Sequence, residues 1–274
     1  LQCGELVPSN AEMCRLCPDV PEIDDLLRTP DSAVSMRTSE MRLVPPSGKP
    51  LCYDFEGIVL DRVAHDEALV KLAESKGAQY LVGSRVESVA GEAVRLRDGS
   101  EYTARVVIGA GGHNDPLRKS EWEVESLVIP VKFVLMSGDF EDALELHFGS
   151  MAPGGYAWKV PKRGGANIGL GIQTALARGK SLNEYSEEFI SRYDGRVEFR
   201  GAGSLPMSGS IGSFVKGNHL LVGDAAGMVL PSNGAGITIA MIGGRIAGQV
   251  VEEHLRVGTP LSEYEVRWEA QMGK

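Results

Sequence analysis

Apolar positions change their period several times along the chain, and each change marks an element. Cys3 to Pro30, with prolines at 8, 18, 21 and 30, reads as irregular apart from a short helix over Glu22 to Leu27. Extended pieces follow at Ala33 to Arg37, Met41 to Val44 and Leu51 to Phe55, the last two joined as a hairpin by Pro45-Pro46-Ser47-Gly48. Leu60-Asp61-Arg62 opens a helix that Gly77 closes, with Val63, Leu69, Val70, Leu72 and Ala73 expected on one buried face. Strands are expected at Tyr80 to Val82 and Arg85 to Val89. Turns at Gly91-Glu92 and Asp98-Gly99 fold the next two into a meander, and Val106 to Ile108 runs into Gly109-Ala110-Gly111-Gly112.

The middle third, Ser126 to Gly203, is strand-rich, with runs at Leu127 to Met136, Leu144 to Phe148, Tyr156 to Val160 and Ala166 to Ile172. One helix interrupts it, opened by the capping box of Ser181 and Glu184. The clearest pattern comes last. Leu220 to Val222 is a short buried strand that ends in Gly223-Asp224, passes through a loop of Gly, Pro and Asn, and opens a long helix at about Gly236.

Composition narrows the class. With 43% hydrophobic and 24% charged residues, the 274-residue chain is globular and long enough for one large or two modest cores. A formal charge of −9 argues against a nucleic-acid partner, which needs a basic surplus, so any membrane contact has to be apolar. The longest apolar run, Ile237 to Val251, is too interrupted to span a bilayer and reads as a buried helix whose small residues allow close packing. The N-terminus has no basic or apolar targeting segment, so the expected location is cytoplasmic. Cys14-Arg15-Leu16-Cys17 is a lone CxxC without histidines in ligand spacing, so reduced thiols and no metal are expected.

Candidate chemistry gathers at a few residues. Asp224, where a buried strand surfaces, can accept hydrogen bonds from a sugar or polyol hydroxyl. Gly234 and Gly236 leave a helix start open, with unpaired N–H groups suited to an anionic or electron-rich ring edge. Tyr156 and Trp158, two apart on a strand, share a face and serve either as core aromatics or as one wall of an apolar cavity. Arg62 is read either as half of a surface ion pair with Asp61 or Asp66 or as a phosphate partner.

Four stretches in one order resemble the geranylgeranyl reductase family of flavoproteins, which share the para-hydroxybenzoate hydroxylase fold. They are Cys3-Gly4-Glu5, similar to the family's cysteine loop; Leu60-Asp61-Arg62 with His65-Asp66 and the following helix; Pro153 to Pro161, similar to P-x-x-Y-x-W-x-F-P with Val160 in place of Phe; and Gly223-Asp224 through Gly236-Ile237. The resemblance implies FAD as cofactor. Arg62 then contacts phosphate, Val86 the adenosine portion, Gly223 and Asp224 the ribityl or pyrophosphate region, and Gly236 and Ile237 the flavin ring, with Cys3 and Gly4 approaching that ring. It implies catalytic roles for Cys3, Tyr156 and Trp158, with Cys3 and Tyr156 as candidate proton donors.

The expected fold is α/β (α+β), a discontinuous Rossmann-like FAD-binding domain (1–32, 56–125, 204–274) with an inserted antiparallel β-rich substrate domain (33–55, 126–203). The expected function is FAD-dependent reduction of geranylgeranyl-type double bonds in a lipid. The electron donor is unidentified, and peripheral membrane contact goes with such a substrate. Two alternatives stand beside it: a flavin-dependent aromatic hydroxylase or halogenase of the same fold, and a flavin-free lipid-binding or interaction module. The G-x-G-x-x-G unit and the C-terminal segment of the family are both absent, so the chain is expected to be a piece of a longer protein that begins well before Leu1.

Overall fold

The computed structural model describes residues 3–124 and 126–273. Strands are β1 (Leu6–Pro8), β2 (Val34–Val44), β3 (Leu51–Leu60), β4 (Val86–Ala90), β5 (Ala93–Leu96), β6 (Glu101–Thr103), β7 (Val107–Gly109), β8 (Val128–Ser137), β9 (Leu144–His147), β10 (Tyr156–Lys162), β11 (Gly165–Gly171), β12 (Arg196–Pro206), β13 (Val215–Lys216) and β14 (His219–Leu221). Helices are α1 (Asn10–Leu16), α2 (Ile23–Leu26), α3 (Arg62–Ser75), α4 (Pro116–Glu121), α5 (Leu182–Ile190), α6 (Ile237–Val257) and α7 (Glu263–Met272). Among the described residues no helix is long and apolar enough to cross a membrane. The chain divides into two compact units, Leu1–Glu12 with Arg28–Ala78 and Val128–Leu205, and Met13–Leu27 with Gln79–Leu127 and Pro206–Lys274.

The first unit is built on an eight-stranded sheet in the order β1-β3-β2-β9-β10-β11-β8-β12. Its β2 and β9 run parallel, while β9, β10, β11 and β8 are successively antiparallel. Alternation along β11 explains what covers the sheet: Ala166, Ile168 and Leu170 point into a core with Tyr185, Phe189 and Ile190 of α5. Gly165, Asn167, Gly169 and Gly171 take the opposite face. The expected extended pieces at 33–37 and 41–44 are one strand, β2, interrupted at two register shifts. Its turn to β3 closes with Gly48 at φ 77, a left-handed backbone that glycine adopts without strain.

Three local readings are corrected. On α3 only His65 is buried, while Val63 and Leu72 are more than half exposed. At about 100° per residue the apolar side chains of α3 point all round the helix, so they make no stripe. Tyr80 to Val82 form no strand but an exposed, irregular segment that leads into a turn at Val82 and Gly83. Residues 196–206, with alternating Arg196, Glu198 and Arg200, form the unexpected β12 at the end of the sheet, where charged positions suit an edge.

The second unit holds the antiparallel meander β4-β5-β6 and a sheet β13-β14-β7 in which β14 and β7 are parallel. Leu220 and Leu221 of β14 pack with Ile242, Ile246 and Val250 of α6 and Tyr264 of α7. Close approach occurs at one of the three glycines of α6: a Cβ on Gly243 would lie 2.7 Å from Met228 Sδ, whereas Gly244 and Gly248 face open space.

Candidate functional site

In the first unit, β10 brings Tyr156 and Trp158 to one face, their ring centroids 6.0 Å apart. Trp158 is buried, and its indole Nε1 donates to Asn167 Oδ1 at 2.9 Å across the β10–β11 pair. Asn167 Nδ2 donates in turn to the Cys3 carbonyl at 2.9 Å and to Glu5 Oε2 at 3.0 Å. The same Glu5 oxygen accepts from Lys162 Nζ at 2.7 Å. Gly4 lies over the indole, where an added Cβ would stand 3.8 Å from Trp158 Nε1. The N-terminal loop is thus tied to the sheet through polar side chains.

Arg62 opens α3 beside this loop. The Asp61 carboxylate caps the helix by accepting from Val63 and Ala64 N–H groups. Arg62 donates from Nε and Nη2 to the two oxygens of Asp66 at 3.1 and 3.0 Å, a bidentate pair with the Arg62 side chain 18% exposed. Of the two sequence readings of Arg62, the ion pair is formed, with Asp66, and the guanidinium also acts on the Cys3 thiol. Burial pushes that thiol up, with Arg62 pulling the other way and losing. Burial also pushes the Tyr156 phenol up to about 12, with a smaller contribution from Cys3. At neutral pH both groups keep their protons. Burial works against ionisation of Asp66 too, but hydrogen bonds from Arg62 outweigh it and hold that carboxyl below its usual range.

The second unit gathers Gly223, Asp224, Gly236 and Ile237 at one loop–helix junction. Val222 N–H donates to the Gly109 carbonyl, which brings the end of β14 beside the end of β7. Gly223 (φ 58) and Gly227 (φ 69) bracket a 3-10 turn that carries Asp224. A Cβ on Gly236 would lie 3.4 Å from Asp224 Oδ1, so the carboxylate stands beside the first turn of α6, where its charge complements the helix dipole. Gly236 is the N-cap of that 21-residue helix and offers no side-chain cap. Val86 stands instead at the start of β4, paired with Leu96 and packed against the unit's core. Nearby, Asp115 accepts from Gly111, Leu117 and Arg118 N–H groups, which shapes the Gly109-to-Gly112 turn.

Sequence reasoning missed Asn167 and Lys162, and gave Glu5 no role of its own. Asn167 carried a usable signal, since it is the single polar residue in the strand Gly-Ala-Asn-Ile-Gly-Leu-Gly. Lys162 carried none, because a lysine ending a strand is ordinarily solvated.

Residues 128–202, which contain Tyr156, Trp158, Lys162 and Asn167, match the family model for the geranylgeranyl reductase catalytic domain. The chain is 36% identical over 239 residues to digeranylgeranylglycerophospholipid reductase 2 of Methanothermobacter thermautotrophicus, covering 80% of this chain and 62% of that protein. It is 31% identical over 242 residues to the digeranylgeranylglycerophospholipid reductase of Methanocella arvoryzae, covering 80% and 61%. The chain therefore spans about three fifths of the length of these curated relatives. Among solved structures, a geranylgeranyl bacteriochlorophyll reductase-like protein from Thermoplasma acidophilum superposes with a TM-score of 0.81 at 25% identity, over 98% of this chain and 73% of that one. PqsL of Pseudomonas aeruginosa, a probable FAD-dependent monooxygenase, superposes with a TM-score of 0.68 at 17% identity, over 99% and 82%, a likeness of fold. The mixed α/β fold is the one these two solved structures share, as the sequence motifs led one to expect.

Proposed function

The chain belongs to the geranylgeranyl reductase family, and from that premise we propose that its protein is an FAD-dependent oxidoreductase that reduces double bonds in a geranylgeranyl-type lipid. The observation that carries the reading is the cluster of Cys3, Tyr156 and Trp158 on one face of the sheet, with both acidic protons retained at neutral pH. An isolated prenyl double bond has no carbonyl to polarise, so its saturation needs a hydride at one carbon and a proton at the other. FAD, when bound and reduced, supplies the hydride. Cys3 Sγ and Tyr156 Oη are the proton-bearing atoms of the cluster. The faces of Tyr156 and Trp158 ease positive charge developing on a tertiary carbon, an effect of roughly 0.5 to 2 kcal/mol per contact.

The donor set in the second unit fits a flavin dinucleotide. Asp224 offers an acceptor for hydroxyl groups, and the start of α6 at Gly236 and Ile237 offers N–H groups unobstructed by a capping side chain. In this reading Gly223, Asp224, Gly236 and Ile237 hold the cofactor, Arg62 and Val86 serve its phosphate and adenosine portions, and Cys3 and Gly4 approach its ring. The division into cofactor segments 1–32, 56–125 and 204–274 and substrate segments 33–55 and 126–203 belongs to the same proposal. So does a cytoplasmic location at the periphery of a membrane, where such a lipid is reached. The hydroxylase or halogenase alternative draws on likeness of fold at 17% identity.

The test is single-turnover reoxidation of the chemically reduced, flavin-loaded protein by a geranylgeranyl lipid without oxygen. Reoxidation coupled to saturation is expected, with Tyr156→Ala and Trp158→Ala slowing it while flavin content holds. No reoxidation of the unsubstituted protein overturns the proposal.

A further inference from the structure

The face of β11 that carries Gly165, Asn167, Gly169 and Gly171 has one polar side chain, and it is completely buried. A buried amide in that position is costly unless its bonds are made. Asn167 makes three, and each partner has only one role to offer. The indole N–H of Trp158 can only donate, so it requires Oδ1; the Cys3 carbonyl and the Glu5 carboxylate can only accept, so both require Nδ2. Both ends of the amide are therefore specified, and neither aspartate nor leucine can reproduce the set. Lys162 completes the arrangement by donating to the same Glu5 oxygen, with Glu5 kept at φ 65, a left-handed backbone that a non-glycine residue adopts only where its surroundings impose it.

We propose that Asn167 is the positioning residue of this site: a single amide, braced by the Glu5–Lys162 pair, sets the Cys3–Gly4 turn against the edge of Trp158. It bonds to both of the elements that must keep their mutual placement, the thiol-bearing loop and the aromatic strand. The inference rests on the reading of Cys3 and Trp158 given above. Its physical content, a loop clamped to an indole, is observable without flavin or lipid.

The experiment follows two groups. Site-resolved alkylation of the purified protein with iodoacetamide, read by mass spectrometry of a Cys3-containing peptide released by cleavage at positions other than Glu5, reports the exposure of Cys3 from about pH 7 to pH 10. Hydrogen exchange of the Trp158 indole N–H, its resonance assigned with Trp158→Phe, reports the clamp from the other end and needs no substitution at Asn167. Slow indole exchange is expected in the unsubstituted protein. Asn167→Asp and Asn167→Leu should each speed Cys3 alkylation about tenfold or more, the scale of losing a buried hydrogen-bonded partner. Adding Glu5→Gln to Asn167→Asp exchanges donor and acceptor between the two positions at constant total charge, and should recover part of the protection. A merely structural role would move the melting temperature without this recovery. Fast indole exchange in the unsubstituted protein, or Cys3 alkylation unchanged in both single variants, overturns the clamp even if Tyr156→Ala and Trp158→Ala impair turnover. If the clamp opens as expected but those two variants turn over lipid at the unsubstituted rate, the clamp positions no reaction site and its functional role is overturned.

Discussion

Acidification should unfasten the first unit at Glu145. This carboxylate, on β9, accepts from Lys159 Nζ at 2.8 Å, His147 Nε2 at 2.9 Å and the Tyr193 hydroxyl at 3.3 Å, with its side chain 17% exposed and that of Lys159 only 4%. Burial alone would raise its pKa, but hydrogen bonds from His147 and Lys159 outweigh burial and bring it down from 4.5 to about 2. A carboxyl that is more acidic folded than unfolded adds stability that is fully present above about pH 4.5 and is lost as pH falls toward 2. The shift corresponds to about 3 kcal/mol at full value, and water reaching the site reduces the expected contribution to about 1 to 2 kcal/mol. Urea unfolding of the unsubstituted protein and of Glu145→Gln, followed from pH 7 to pH 3, isolates this carboxyl from the other acids that titrate over the same range. At pH 7 the variant should be less stable by a few kcal/mol, because Lys159 is left buried beside a neutral amide. That difference should shrink as the pH falls below about 4.5. A difference that stays constant from pH 7 to pH 3 would show that Glu145 titrates alike folded and unfolded, and the argument from its partners would be wrong.

Two further substitutions probe the candidate site. Gly169→Ala places a Cβ 2.5 Å from Trp158 Cζ2 and 2.6 Å from both the Lys132 carbonyl and Phe133 Cβ. It should cost about 1 to 3 kcal/mol and shift the Trp158 emission, whereas Gly244→Ala, facing open space on α6, should be neutral or stabilising. Equal urea midpoints for the two variants would contradict that packing. Asp224→Ala should lower FAD occupancy through loss of a charge-assisted bond of about 1.5 to 3 kcal/mol, with circular dichroism unchanged. Undiminished flavin content in that variant would remove the loop from the cofactor site.

Much of this protein was determined within short windows of sequence. The run from Leu220 through Asp224 to Gly236 reads locally as strand, turn and helix, and β14, the 3-10 turn and α6 follow it. Ser181 and Glu184 form their capping box because both halves lie within one helical turn. Tyr156 and Trp158 share a face because strand side chains alternate. Other features depended on partners far along the chain. Leu6–Pro8 is a strand only because β3 pairs with it, and residues 196–206 become β12 only at the end of a sheet whose other members are already in place. The burial expected of α3 was not imposed by its sequence, since apolar content without a stripe specifies no face. The polar centre of the site was the least accessible to local reading: Asn167 meets Glu5 across 162 residues and Cys3 across 164. Sequence periodicity reports which side of a strand a residue takes. Which distant donor or acceptor waits on that side is set by strand order and register, and those were decided by the packing of the whole sheet.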